Sequence, residues 1–310
     1  MKTWEAIAPH SVYVGFDPDR REIHEEQYGG FFKKWIVNEA VTAGGNGEAI
    51  PFYLTASPYC SSTLRPDIDS LSDYLFSDLF AVAQETQVRA SSLDSVLGRL
   101  SLPGIDWLKL DTQGTDLRVF NSLREDIRAG VLALDIEPGL IDAYVGEDLF
   151  AEAHGVLSRS GFWLSNLKLG SDVRMRRSTV EAVRAFDPVI GDTAFLEGVA
   201  KKSPVYCEAR YLRTLSWLLE DRSPRDYVLL WVFALMDDQV GFALDIAREY
   251  ELGFGKDDTT AVLWREPLAR LREVRALRLK RARVKRVARA LLVPLMPRRV
   301  RQWLKGMLTV

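Results

Sequence analysis

The stretch IDWLKLDTQGTDLRVFNS, residues 105–122, sets the architecture of this chain. Its opening residues, 105–110, form a short apolar run that is typical of a strand buried on both faces of a parallel sheet. Turn chemistry follows, because Gly114 can take a positive φ. From Thr115 apolar residues recur at helical spacing, and Asp116 favours the first turn of the predicted helix. Ligands bind at the polar tip of such a βα unit in open α/β sheets.

Residues 109–116 read Lys-Leu-Asp-Thr-Gln-Gly-Thr-Asp, with Val119 following. This tip resembles K-[IL]-D-x-[EQ]-G-x-[DE]-x-x-V, the signature of the FkbM-type methyltransferases, a branch of the class I S-adenosylmethionine (SAM) enzymes. Further matches occur in the family's order at Gly15-Phe16-Asp17-Pro18, Cys60-Ser61-Ser62-Thr63-Leu64, Ser92-Leu93-Asp94-Ser95-Val96-Leu97, Leu134-Asp135-Ile136-Glu137 and Gly161-Phe162. The likeness covers residues 11–169, and the ordered set is more specific than any single motif.

The resemblance implies an α/β fold with a Rossmann-like class I methyltransferase sheet of strand order 3-2-1-4-5-7-6, and SAM as the cofactor. The chain departs from the family at its start, where a first strand and a D-x-G-A-x-x-G loop are expected. No glycine precedes Gly15, and the cluster at 44–47 is interpreted as a hairpin turn between two strand-like runs. Either the true start lies upstream of Met1, or this is a degenerate copy whose sheet keeps two unpaired edges.

Two predicted strand ends supply candidates for cofactor binding. The run 12–16 predicts a strand ending at Asp17, whose carboxylate can accept both hydroxyl protons of a ribose. A turn-forming Asp-Pro-Asp is the structural alternative. Residues 35–41 predict the next strand, and adenine contacts often follow such a strand. Asn38 and Ala40 are therefore cofactor-binding candidates, with an ordinary strand exit as the alternative.

Carboxylates at two further strand ends are the candidates for catalysis. Methyl transfer from a sulfonium depends largely on positioning, and a hydroxyl acceptor must also lose a proton. Asp111 is expected near the transferring methyl, where it orients the acceptor or contacts the cofactor's amino group. Gln113 is a further cofactor-binding candidate, although Gln113 and Asp116 can equally cap the following helix. Glu137 is the candidate base or acceptor ligand, although an acidic strand exit before Pro-Gly is equally ordinary.

The remaining reactive residues indicate little chemistry. His154 falls on an apolar helix face, which favours a structural role, and Lys109 is interpreted as an ion-pair partner. Cys60 and Cys207 match no metal spacing, so we predict no metal site and expect a reduced, cytoplasmic compartment. The longest apolar run, 227–236, falls far short of the ~20 residues that a membrane span needs.

The pattern predicts three parts: a Rossmann-like domain at 1–190, a helical appendage at 191–264 and a basic amphipathic tail at 265–310. In the appendage, 206–219, 227–235 and 240–250 are predicted helices because aromatic and leucine residues form stripes. The long polar loop at 57–78 is either a lid or substrate selector, or unstructured surface.

The tail carries 15 Lys and Arg against two Glu, a net charge of +13, so the rest of the chain carries −15. Basic amphipathic helices with Trp303 on an apolar face suit the interface of an anionic membrane, which predicts peripheral association. Packing on the acidic body is the alternative. Aromatic residues do not interleave with the charges, which disfavours nucleic acid as the partner.

The leading hypothesis is a SAM-dependent enzyme that methylates a hydroxyl of a glycan or small molecule, such as a sugar or secondary metabolite. The alternative is a non-catalytic relative that acts as a binding module through its cleft or basic tail. A nucleic-acid-binding protein is the third hypothesis. The oligomeric state is not indicated.

Overall fold

The computed structural model describes residues 4–18, 30–220 and 222–292, with side chains up to Arg281. Strands in this part of the chain form three sheets. They are β1 (Val12–Phe16), β2 (Lys33–Val37), β3 (Ala40–Val41), β4 (Asn46–Thr55), β5 (Val82–Ser91), β6 (Trp107–Lys109), β7 (Ala133–Ile136), β8 (Phe162–Val173) and β9 (Lys202–Arg213).

The helices between and after the strands are α1 (Ile68–Leu71), α2 (Leu93–Leu100), α3 (Asp116–Ser122), α4 (Glu125–Gly130), α5 (Phe150–Arg159), α6 (Arg177–Phe186), α7 (Thr193–Val199), α8 (Leu215–Leu218), α9 (Pro224–Met236), α10 (Val240–Phe254) and α11 (Asp258–Leu292). Short 3₁₀ turns occupy Ala8–His10, Pro58–Cys60 and Leu75–Phe80. The fold is therefore mixed α/β, as predicted.

A four-stranded sheet with the order β6-β7-β9-β8 carries the candidate catalytic residues. β6 and β7 are parallel, so their carboxyl ends lie at the same edge of the sheet. β9 runs antiparallel to both β7 and β8. It pairs with β7 only over Ala209–Leu212, whereas its pairing with β8 continues to Lys202. The β8–β9 hairpin thus extends beyond the end of β7, on the side where β6 and β7 end.

The main core lies between one face of this sheet and helices α3 and α5. The sheet contributes Leu134 and Tyr211, while α3 contributes Phe120 and α5 contributes Leu157. Each of these side chains is at least 99% buried. Since burying one such side chain stabilises the fold by about 1.5–3 kcal/mol, this packing anchors the strand ends that carry the site.

The remaining strands form two smaller sheets. β1 and β2 make a parallel pair, so Asp17 and Asn38 follow strands that end on the same side. The second sheet has the order β3-β5-β4. The predicted hairpin at 44–47 is therefore wrong: the chain does reverse there, but β5 lies between the two strands that the glycines connect.

The predicted helix at 206–219 is also wrong. Within this range, the residues up to Arg213 belong to β9, and only those of α8 are helical. Burial in β9 alternates, with Val205 and Cys207 buried but Tyr206 and Glu208 exposed, which is the period of a strand. The apolar run after residue 210 hid this alternation, because both faces of β9 are buried near its end.

The chain divides into two compact units after Asp237. The first contains all three sheets and α1–α9. The second contains α10 and α11, which pack together, and Trp264 Nε1 donates a hydrogen bond to Glu251 Oε2 at 2.8 Å. The predicted boundaries at 190 and 264 stay predictions, although β9 lies in the same sheet as β6–β8. No helix among the described residues is long and apolar enough to cross a membrane.

Candidate active site

The tip of β6 holds Asp111 between an amide and an ammonium group. Gln113 Nε2 donates a hydrogen bond to Asp111 Oδ1 at 2.7 Å, and Lys109 Nζ lies 3.4 Å from Asp111 Oδ2. Burial opposes the charged form of Lys109, but the carboxylates of Asp111 and Glu137 outweigh it and raise the pKa of the lysine. The amide of Gln113 and the ammonium of Lys109 therefore fix the orientation of the Asp111 carboxylate. The prediction that Lys109 is an ion-pair partner is confirmed.

Asp116 joins the ends of β6 and β7. Its side chain is 2% exposed, and its carboxylate accepts hydrogen bonds from Thr112 N at 2.8 Å, the Thr112 hydroxyl and Glu137 N at 2.7 Å. Burial raises the pKa of Asp116. Thr115, the N-cap of α3, makes no side-chain cap hydrogen bond, and the Arg118 N–H in the first turn donates to Asp148 Oδ2 at 2.8 Å. The side chains of Gln113 and Asp116 bond to groups outside α3, so the alternative in which they cap this helix is wrong. Asp116 instead fixes the backbone of Glu137.

Glu137 lies at the end of β7, in electrostatic contact with Asp111. Burial raises its pKa to about 7, and Asp111 adds to the shift while Lys109 opposes it. A general base works best when its pKa is near the operating pH. Glu137 can therefore exchange a proton at neutral pH, in a position that a ligand at the β6 tip can reach.

The loop after β7 contributes two residues that the sequence analysis missed. The Tyr144 hydroxyl lies 2.9 Å from Gln113 Oε1 and 2.9 Å from the Cys60 carbonyl oxygen. Glu147 accepts hydrogen bonds from the backbone N–H groups of Gly139, Ala143 and Tyr144, and burial raises its pKa to about 7. The sequence of this loop has no helical or strand periodicity that would have pointed to these two residues. Its one local signal is the glycine between Val145 and Glu147, which indicates a turn.

The long loop at 57–78 also reaches the tip of β6. Ser62 Oγ donates a hydrogen bond to the backbone oxygen of Gln113 at 2.7 Å, and the loop contains α1 and two 3₁₀ turns. The alternative of an unstructured surface is therefore wrong. Its role as a lid or substrate selector stays a prediction.

Tyr206 forms a wall beside the two carboxylates. Its ring lies over Gly170 of β8, where a Cβ atom would meet the ring at 2.1 Å, so only glycine leaves this space. Burial raises the pKa of Tyr206, and the charges of Glu137, Glu208 and Asp111 raise it further. The side chain is still 41% exposed, which leaves it accessible to a ligand at these carboxylates.

The cofactor-binding candidates after β1 and β2 form a separate group. Asn38 Nδ2 donates a hydrogen bond to the Asp17 backbone oxygen at 2.7 Å. Between Asn38 and the buried Ala40, Glu39 accepts two hydrogen bonds from Arg99, at 3.0 and 2.6 Å. These bonds hold the pKa of Glu39 at about 2. The structure thus joins Asp17 to Asn38, and Glu39 anchors this segment.

The other candidate groups have structural roles. His154 stacks on Phe150 with 5.5 Å between ring centroids, and its Nδ1 lies 3.2 Å from the Tyr211 hydroxyl, so its predicted structural role is confirmed. Cys60 and Cys207 are free. Within the described ranges, no group of three or more His, Cys, Asp and Glu side chains is arranged to hold a metal ion.

A family model described as the methyltransferase FkbM domain matches residues 7–164, just over half of the chain. The match begins before β1 and ends in β8. It therefore includes the ends of β1, β2, β6 and β7, where the carboxylates lie. No curated protein and no solved structure matches the chain.

Proposed function

This chain belongs to the FkbM methyltransferase family, and on that premise we propose that it transfers the methyl group of SAM to a hydroxyl group of a sugar or secondary metabolite. The observation that carries the proposal is the arrangement at the ends of β6 and β7. There Asp111 is held by Gln113, and beside it Glu137 has a pKa of about 7. An acidic anchor and a group that can take a proton at neutral pH are what this reaction needs.

The strand pairing supports a Rossmann-like class I sheet. The order β6-β7-β9-β8, with only β6 and β7 parallel, agrees with positions 4-5-7-6 of the class I order. The parallel pair of β1 and β2 agrees with positions 2 and 3. Within the described residues no strand joins β1 to β6, so a complete class I sheet stays a proposal.

The donor and acceptor groups at these strand ends fit SAM. Asp17 offers a carboxylate to the ribose hydroxyls, and Asn38 and Ala40 lie where adenine contacts are expected. Asp111, steadied by Gln113, suits the positively charged amino group of the methionine part, since charge-assisted hydrogen bonds are about twice as strong as neutral ones. Bound SAM supplies an electrophilic methyl group.

Proton removal from the acceptor is assigned to Glu137. Its carboxylate form predominates above pH 7, because burial and the charge of Asp111 hold its pKa at about that value. Asp116 fixes the Glu137 backbone through the hydrogen bond to its N–H group. Lys109 offsets part of the negative charge around the two carboxylates. Tyr206 gives the acceptor a partly exposed aromatic wall.

Titration calorimetry with SAM tests the proposal. We expect the wild-type chain to bind SAM and Asp111→Ala to weaken binding about tenfold or more, the loss typical of a hydrogen bond to a charged group. Asp245→Ala, an exposed aspartate on α10, is the matched control and should bind normally. No heat from the wild-type protein would contradict the proposal and favour the non-catalytic binding module.

Peripheral membrane association through 265–310 is a second proposal, supported by apolar side chains on α11. Leu271, Val274, Leu277 and Leu279 are each 45–61% exposed, among many arginines. Each basic residue near an anionic surface contributes about 1 kcal/mol, and inserted leucines add to this. Residues 293–310, including Trp303, lie outside the described part of the chain.

Vesicle sedimentation tests this second proposal. The full chain should pellet with vesicles that contain phosphatidylserine, and much less with pure phosphatidylcholine. The double variant Leu271→Gln and Leu277→Gln should pellet less with the anionic vesicles while it keeps its charge. Equal pelleting of the wild type, this variant and the chain truncated after residue 264 would refute a membrane role for the tail.

A further inference from the structure

A buried tyrosine outside the FkbM signature contacts the amide that holds Asp111. Tyr144 is 2% exposed, and its one hydroxyl proton is shared between two acceptors, Gln113 Oε1 and the Cys60 carbonyl oxygen, each 2.9 Å from the hydroxyl oxygen. The same amide donates through Nε2 to Asp111 Oδ1 at 2.7 Å. Gln113 thus accepts on one side and donates on the other. The reverse orientation would set its oxygen against the carboxylate of Asp111, which is unfavourable.

The backbone of Gln113 is held in an unusual conformation at the same point. Its φ is +55°, in the left-handed region that a residue with a side chain rarely adopts. Ser62 Oγ donates to its backbone oxygen, and at Gly114 a Cβ would lie 3.3 Å from the Tyr144 ring. Such conformations persist only where the surroundings over-determine them, and they cluster at functional sites. The Ser62 hydroxyl and the Tyr144 ring both lie against this turn.

Tyr144 is itself rigidly held. Its ring packs in a cluster with Leu71, Phe80 and Ala143, with 5.6 Å between the Tyr144 and Phe80 ring centroids and an interplanar angle of 62°. Its backbone N–H donates to Glu147 Oε2 at 3.1 Å. The hydroxyl therefore has little freedom, and its position is transmitted to the amide of Gln113. Replacement by phenylalanine keeps the ring and its packing and removes only the hydroxyl.

We propose that Tyr144 is a positioning residue for the cofactor: its hydroxyl holds the Gln113 amide so that Asp111 keeps one orientation toward the amino group of SAM. The inference rests on the proposed function, because Asp111 is assigned there to SAM. Without the hydroxyl, Gln113 Oε1 loses a buried partner and the amide can rotate. Asp111 then loses its donor for part of the time, and its affinity for the amino group falls.

A double-mutant cycle measured by SAM calorimetry on the full chain tests this positioning role. Tyr144→Phe should weaken SAM binding about 3- to 10-fold, the effect of losing one buried hydrogen bond. In a Gln113→Ala background the same change should add no further loss, because the amide through which it acts is gone. Tyr211→Phe is the matched control: its hydroxyl contacts His154 in the core, and its removal should leave SAM affinity unchanged.

The outcomes separate this inference from the proposed function. If the wild type binds no SAM, the proposed function fails and this inference falls with it. If the wild type binds SAM but Tyr144→Phe binds equally well, or loses the same factor with and without Gln113, only the inference is overturned.

A second variant, Gln113→Met, tests the inference if Tyr144→Phe folds poorly. Methionine keeps the side-chain length and forms neither hydrogen bond, so this variant should weaken SAM binding at least 3-fold with a native melting temperature. Native SAM affinity in Gln113→Met would also overturn the inference.

Discussion

The raised pKa of Glu137 predicts that the candidate site lowers the stability of the protein as pH rises. The pKa is about 7 in the folded state, against a reference value of 4.5. The folded state therefore binds more protons between these values. The stability that this group contributes is fully present below pH 4.5 and is lost as pH rises through 7.

The magnitude follows from the size of the pKa shift. At 1.36 kcal/mol per pKa unit the full effect would be about 3 kcal/mol. Because Glu137 is partly exposed, solvent screening reduces this to about 1–2 kcal/mol. Glu137→Gln has nearly the same shape and does not titrate. We therefore expect the variant to match the wild type at pH 4 and to be about 1–2 kcal/mol more stable at pH 8.

Urea unfolding at pH 4 and pH 8, followed by tryptophan fluorescence, measures this difference. Glu147 also has a raised pKa, but it is present in both proteins, so the comparison isolates Glu137. Glu152→Gln removes an exposed glutamate from α5 and is the control for the change in net charge. If Glu137→Gln loses as much stability between the two pH values as the wild type, Glu137 has an ordinary pKa and its role as base loses its support.

Two further predictions concern the carboxylates that anchor the strand ends. Asp116→Ala leaves the backbone N–H groups of Thr112 and Glu137 without their partner and should lower the free energy of unfolding by about 2–4 kcal/mol; an unchanged urea midpoint would contradict this. Glu39 has its pKa lowered to about 2 by Arg99, so its stabilisation is present above pH 4.5 and lost as pH falls toward 2. In acid titrations of circular dichroism, Glu39→Gln should therefore flatten the loss of stability between pH 5 and pH 3, and an unflattened curve would argue against the prediction.

Patterns within a short stretch of sequence predicted the elements whose structure depends only on neighbouring residues. The predicted strand at 12–16 coincides with β1, and the turn and helix after Asp111 are observed as Gln113 and Gly114 at positive φ followed by α3. The sequence analysis named Asp111 and Gln113 separately as site candidates, and the structure adds the hydrogen bond between them.

Interactions between distant segments could not be predicted from these patterns. β9 was taken for a helix because its end is buried on both faces, which only its neighbours β7 and β8 cause. Tyr144 is 31 residues from Gln113 and lies in a loop without periodicity, so its contact depends on how two loops pack. The role of Asp116 was missed for the same reason, since its partner Glu137 belongs to another strand.

The central claim is that the carboxylates of Asp17 and Asp111 border one cleft that binds SAM. A crystal structure of the full chain with bound S-adenosylhomocysteine tests it most directly. The account predicts the ribose hydroxyls within hydrogen-bond distance of the Asp17 carboxylate and the amino group at Asp111. A ligand bound elsewhere, or a structure in which these two side chains lie on opposite sides of the protein, would contradict it.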